Sequence, residues 1–118
     1  MATELPYHAQ LPFTFGALEQ DPGSFDRAQA VVLPVPFERT TSYVPGTKNG
    51  PREIIAASGQ VELYDEELGR EICDVGIYTL PAMESPFAST DDAFAEMRRV
   101  AGWLAGAGKF FVALGGEH

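Results

Sequence analysis

The sequence predicts an α/β fold built on a parallel sheet, and three observations carry that prediction. Apolar runs without alternation begin near residue 30 and near residue 110, as strands covered on both faces do. Between them the chain reads helix, strand, helix, which completes a strand–helix–strand–helix–strand order. The last run closes on Gly115 and Gly116, which let the backbone turn where a strand leaves its sheet. Glu117 and His118 then fall at the carboxyl edge, where open α/β sheets place their ligands.

Residues 1–24 are rich in Pro, Gly and isolated aromatics, and Pro6, Pro12 and Pro22 forbid a continuous helix. They are read as an N-terminal arm, either ordered, with residues 11–15 extended over a neighbouring surface, or mobile, and residues 25–118 as one domain portion. The first strand covers residues 30–36. Pro34 and Pro36 donate no ladder hydrogen bond, so the strand is expected to leave the sheet there. The loop that follows, residues 37–50, is long for an α/β connection and carries hydroxyls and two cations. It suits an ordered interface or a substrate rim equally.

Pro51 fits the first turn of a helix and Gly59 its stop, with Ile54, Ile55 and Ala57 covering the sheet. Glu62, Asp65, Glu66, Glu67 and Glu71 form an acidic run without His or Cys, which reads as a solvated face. Residues 72–80 have strand propensity and end at Pro81, with a loop through Pro86. Ser89 or Thr90 caps the next helix, and Asp91 and Asp92 favour its positive end. Its buried stripe is Phe94, Met97, Ala101 and Leu104. Gly106 and Gly108 close it, and the terminal strand, read as buried, follows.

Composition narrows the function. An apolar content of 45% is that of a globular domain rather than a disordered chain. A net charge of −9 argues against a nucleic-acid partner, whose phosphates need clustered Lys and Arg, and suits a cationic small substrate. Cys73 is the sole cysteine, so no internal disulfide forms and a reducing, cytoplasmic setting is expected. Its plain reading is a buried thiol. No basic leader or long apolar segment indicates export or membrane insertion. Nucleotide binding drops out too: residues 46–50 have the wrong spacing for a phosphate loop, and Gly108-Lys109 precedes Phe110 where Ser or Thr would be needed. His8 lies in the arm and reads as solvated. His118, held by a strand end after two glycines, is the candidate metal ligand.

Leu114-Gly115-Gly116-Glu117-His118 resembles the first metal-ligand motif of the ureohydrolases, the arginase and agmatinase family, usually Gly-Gly-Asp-His. Residues 35–43 and 45–51 resemble the agmatinase-type first loop and helix start, and residues 61–68 continue in kind. The resemblance implies the N-terminal part of a three-layer α/β/α fold around a central parallel sheet. It implies a binuclear manganese (Mn2+) site with His118 as one ligand, and Glu117 as the acidic neighbour that is not a ligand. It implies that a hydroxide bridging the metals attacks a guanidinium carbon, turning agmatine and water into putrescine and urea, in a homo-oligomer (trimer or hexamer). The family's other ligands belong to later Asp- and His-containing motifs that this chain lacks, so the chain by itself is expected to be inactive. Arginine, guanidinobutyrate or a formimino compound are the alternative substrates. A non-catalytic assembly or binding module, using the arm and first loop, is the alternative of another class.

Overall fold

The computed structural model describes residues 6–84 and 88–118. The loop expected through Pro86 therefore lies partly outside the described residues, as do the first five residues of the arm. Strands β1 (Ala30–Val35), β4 (Ile77–Thr79) and β5 (Phe110–Gly115) form a parallel sheet in the order β4-β1-β5. The first and last apolar runs are thus neighbours, in register from Ala30 opposite Phe110 to Val35 opposite Gly115. Strands β2 (Tyr64–Asp65) and β3 (Arg70–Glu71) make a separate two-residue antiparallel ladder. It carries the exposed acidic run, and the Asp65 side chain accepts a 2.8 Å bond from the Leu68 N–H inside its turn.

Helices lie on both faces of the parallel sheet. Helix α3 (Thr90–Gly106) packs Ala93 and Leu104 against Val31, Leu33 and Val35, which share one face of β1 because side chains alternate along a strand, and against Phe37 just beyond it. Helix α2 (Gly50–Ser58) covers the other face, where Pro51 and Ile55 share a cleft with Pro34 and Thr79. Residues 14–20 dock on this second layer: the Phe15 N–H donates to Thr79 Oγ1 and the Gly16 N–H to Ser58 Oγ. The Gln20 amide bonds both backbone groups of Thr79. The short helix α1 (Ser24–Arg27) ends on Lys109, whose ammonium donates to three carbonyls, those of Phe25, Asp26 and Ala28, and sits 4.8 Å over the Phe25 ring. That ring in turn stacks on Trp103 at 5.1 Å and meets Tyr78 edge-on.

Several local expectations need correction. Pro34 does not end β1; it pairs with Leu114 inside the strand. Its side of the strand faces β4, which has already stopped at Thr79, so no ladder partner is deprived of a donor there. The Pro34 carbonyl still accepts from the Met83 N–H at 3.1 Å. The segment read as a strand from residue 72 is a 3-10 turn over Ile72–Val75, and only Ile77–Thr79 is strand, because Gly76 at φ 84° redirects the chain between them.

On α2 the buried positions are Pro51, Ile55 and Ser58, one per turn, while Ile54 and Ala57 face outward. On α3 the buried pair is Ala93 and Leu104, with Met97 and Val100 partly covered; Phe94 is half exposed at the edge of the stripe. The Ser89 cap is as expected, its side chain accepting from the Asp92 N–H. At the other end Gly108 (φ 73°) lets its own N–H reach the Ala105 carbonyl and that of Lys109 reach Leu104, the paired bonds of a Schellman ending. Strand β5 is an edge strand rather than a buried one. Phe111 faces α3, but Phe110 (72% exposed) and Val112 (47%) are uncovered on the other face, where α2 meets β5 only near Gly115.

Leu104 is fully buried against the sheet, so Leu104→Ala should destabilise by about 2–5 kcal/mol. Ile54→Ala, at an outward-facing position, should cost under about 1 kcal/mol. Urea unfolding midpoints of both variants check the assigned helix faces.

Candidate active site at the carboxyl edge

The sheet pairing carries two segments out of the same edge. From β1 the chain passes through Phe37 into the loop; from β5 it passes through Gly116 to Glu117 and His118. Pairing continues beyond the strands, with the Gly116 N–H donating to the Val35 carbonyl at 3.2 Å and the Glu117 N–H to the Phe37 carbonyl at 2.7 Å. A side chain at position 116 has no room: an added Cβ would lie 2.5 Å from the Phe37 oxygen and 2.9 Å from the Thr47 oxygen. Glycine is required there by close approach of backbones.

Two carboxylates then fasten the loop. Glu117 Oε2 accepts from the Arg39 and Thr40 N–H groups, each at 2.8 Å, and Oε1 accepts from the Thr40 hydroxyl. Glu38 Oε1 accepts from the Gly46 N–H at 2.6 Å, the Thr47 hydroxyl at 2.9 Å and the Lys48 N–H at 3.4 Å. It thereby caps the 3-10 turn Thr47–Asn49 that leads into α2. Both carboxyls are held below the usual carboxylate range. The Thr40 hydroxyl and then the Thr40 and Arg39 amides do this for Glu117, and the Gly46 amide and then the Thr47 hydroxyl for Glu38.

His118 is exposed at the end of this arrangement and borders two cavities. One, about 390 Å³, is walled by Thr40, Thr41, Ser42, Tyr43 and Val44 of the loop. The other, about 340 Å³ and apolar, runs under α3 between Leu33, Phe37, Phe94 and Phe111. A single imidazole beside a polar cavity suits one bond to a metal. It does not complete a manganese site, which draws on several oxygen donors, and the neighbouring Glu117 is engaged by three donors of the loop. Among the described residues the group of three potential ligands is Glu71, Cys73 and Asp74, near the amino end of β4, away from His118. Exposed acidic groups of that kind are ordinary. The Cys73 thiol there is half-buried rather than in the core; burial and the nearby Glu71 push its pKa up, which makes it a poor nucleophile.

Residues 28–118 match the arginase family. The chain belongs to the arginase family. Among its curated relatives, an N(1)-aminopropylagmatine ureohydrolase of Synechocystis is 44% identical over 100 residues, covering 80% of this chain and 33% of the relative. An agmatinase of Bacillus anthracis is 33% identical over 95 residues, with 80% and 33% covered. An agmatine ureohydrolase structure from Thermoplasma volcanium superposes with a TM-score of 0.77 at 25% identity, covering 94% of this chain and 36% of the other. This arginase-family chain therefore spans about a third of the length of the relatives it matches. Among the described residues no helix is long and apolar enough to cross a membrane.

Two carboxylates that organise this edge have no role legible in the sequence alone. Glu117 was assigned no task beyond standing next to a ligand, and Glu38 was one more loop residue. The available signal was one acidic residue at the start of a loop rich in hydroxyls and backbone donors, and a second just after the last strand. Only the β1–β5 pairing makes one of those residues the partner of the loop.

Gly116→Ala should force the loop away from the strand end, lowering stability by about 1–3 kcal/mol as overpacking does; urea unfolding midpoints check it. For Glu38 the folded pKa lies below its ordinary 4.5. Its contribution to stability is therefore full above pH 4.5 and is lost as the pH falls through the lowered value. Thermal melting points measured downward from pH 5 should drop in the native protein and drop less steeply in Glu38→Gln, which starts lower at neutral pH.

Proposed function

We propose that the protein carrying this sequence is a manganese-dependent, cytoplasmic ureohydrolase that releases urea from agmatine, leaving putrescine. The observation that carries this reading is the placement of His118 in Gly115-Gly116-Glu117-His118 at the carboxyl edge of β5, within a chain of the arginase family. In this reading His118 contributes one imidazole to the metal centre, and the remaining ligands come from sequence that the longer relatives possess. Manganese, when bound, would supply the Lewis acidity that ionises a water near neutral pH. The chain's own residues hold the imidazole at a rigid strand end and wall the adjoining cavity with hydroxyls. The acidic balance of the chain favours approach of a cationic guanidino substrate.

A second reading keeps the reaction and lengthens the substrate to N(1)-aminopropylagmatine. It is favoured by the higher identity to the Synechocystis relative than to the agmatinase. The loop-walled cavity beside His118 offers room and hydroxyl partners for an added amine. We further propose a homo-oligomeric assembly, trimer or hexamer.

The 118 residues alone should hold no tight manganese and turn over no substrate, since one imidazole is a poor site. Metal content after dialysis and urea release from both amines, measured for this chain and for a longer protein containing it, test the proposal. In the longer protein His118→Ala should remove one metal and lower kcat more than about 100-fold, beyond what loss of a supporting hydrogen bond to a ligand costs. Cys73→Ala should leave turnover within about twofold, as expected of a site remote from the chemistry. Stoichiometric manganese and repeated turnover in the 118-residue chain would place the active site elsewhere.

A further inference from the structure

Residues 36–46 contain no helix or strand, yet part of this segment forms a wall of the cavity shared with His118. Something must hold such a wall in place, and the bonds identify it. One carboxylate, Glu117, takes both the Arg39 and Thr40 amides on one oxygen and the Thr40 hydroxyl on the other. Charge-assisted bonds of this kind are about twice as strong as neutral ones. Glu117 and His118 are consecutive, and the Glu117 N–H is itself bonded to the Phe37 carbonyl. The backbone that presents the imidazole is thus held to β1 by its own N–H, separately from the carboxylate that holds the loop.

We propose that Glu117 is the positioning residue of this site. It fixes the loop against the strand end, so that Thr40, Thr41, Ser42 and Tyr43 form a preorganised surface for the substrate's amine tail, beyond the guanidinium. Glu38 cannot substitute for it, because its carboxylate is committed to the far end of the loop at Gly46 and Thr47. The cavity's use for the amine tail rests on the ureohydrolase reading above; the clamp itself does not.

The test uses the full-length protein carrying this sequence, with agmatine as substrate and hydrogen exchange followed by mass spectrometry. Glu117→Ala should speed exchange of the peptide containing Arg39 and Thr40 by roughly tenfold or more, as loss of several bonds to a charged group implies. Exchange in β1 should stay unchanged. KM for agmatine should rise roughly tenfold while kcat stays within about threefold, because the lost contacts bind the substrate tail. Glu117→Gln should restore most of both, since one amide oxygen can take both N–H groups while the Thr40 hydroxyl rotates to accept.

Should Glu117→Ala fail to fold, Thr40→Val removes one donor and should move loop exchange and KM the same way by about threefold. Unchanged loop exchange overturns the proposal. So does faster loop exchange with a native KM, or faster exchange spread through β1 with kcat and KM both impaired. No urea release from agmatine by the native protein would count against the ureohydrolase reading, and the exchange result would then decide the clamp by itself.

Discussion

Everything at the carboxyl edge depends on the pairing of β1 with β5. Six residues of each lie side by side although 80 positions separate them, from Ala30 with Phe110 to Val35 with Gly115. Closing a chain segment of that length carries an entropic cost, which must be offset by what the contact buries. The offset is visible in the cluster of Val31, Leu33 and Val35 under Leu104 and Ala93, which α3 delivers because it leads directly into β5. Without this pairing Glu117 would have no loop to hold, and His118 would sit on an unsupported chain end.

The chain is strongly acidic, yet the carboxylates that matter structurally are those used as hydrogen-bond acceptors. Asp21 receives the Arg27 guanidinium and the Gly23 amide, Glu38 the turn before α2, and Glu117 the start of the loop. Asp21 is exposed and Glu38 and Glu117 remain partly open to solvent, so the Coulomb part of these contacts is weak and screened. Their worth lies in giving partners to backbone N–H groups of irregular segments, which have no ladder to satisfy them. The exposed run around β2 and β3 makes few such bonds and remains a solvated surface.

The cationic counterpart is Lys109. Three carbonyls at the end of α1 converge on one ammonium, and the same side chain lies over Phe25, whose other contacts are Trp103 and Tyr78. A lysine three residues past the end of α3 in this way ties the first helix to the last one. It also binds the amino-terminal edge of the sheet together, as the glutamate clamps do at the carboxyl edge.

By itself the sequence determined the class of fold, the two apolar strands and the caps of α3 at Ser89 and Gly108, and it singled out His118 as the candidate ligand. These follow from local signals: apolar runs, capping side chains and glycine, and a motif read within five residues. What it left undecided depended on neighbours remote in sequence. Pro34 stays within its strand because β4 stops at Thr79, a fact of sheet order. Ile54 faces outward because helix rotation is set by the surface each helix meets, and periodicity alone fixes a stripe only to within one position; Phe94 faces the sheet and meets Phe37, yet stays half exposed beside the apolar cavity. Residues 72–75 turn rather than extend, because Gly76 packs against the Ala28 backbone. Glu117 acquired its partners only when β5 was laid beside β1, since an acidic side chain has no assigned task until the fold decides which amides lie within its reach.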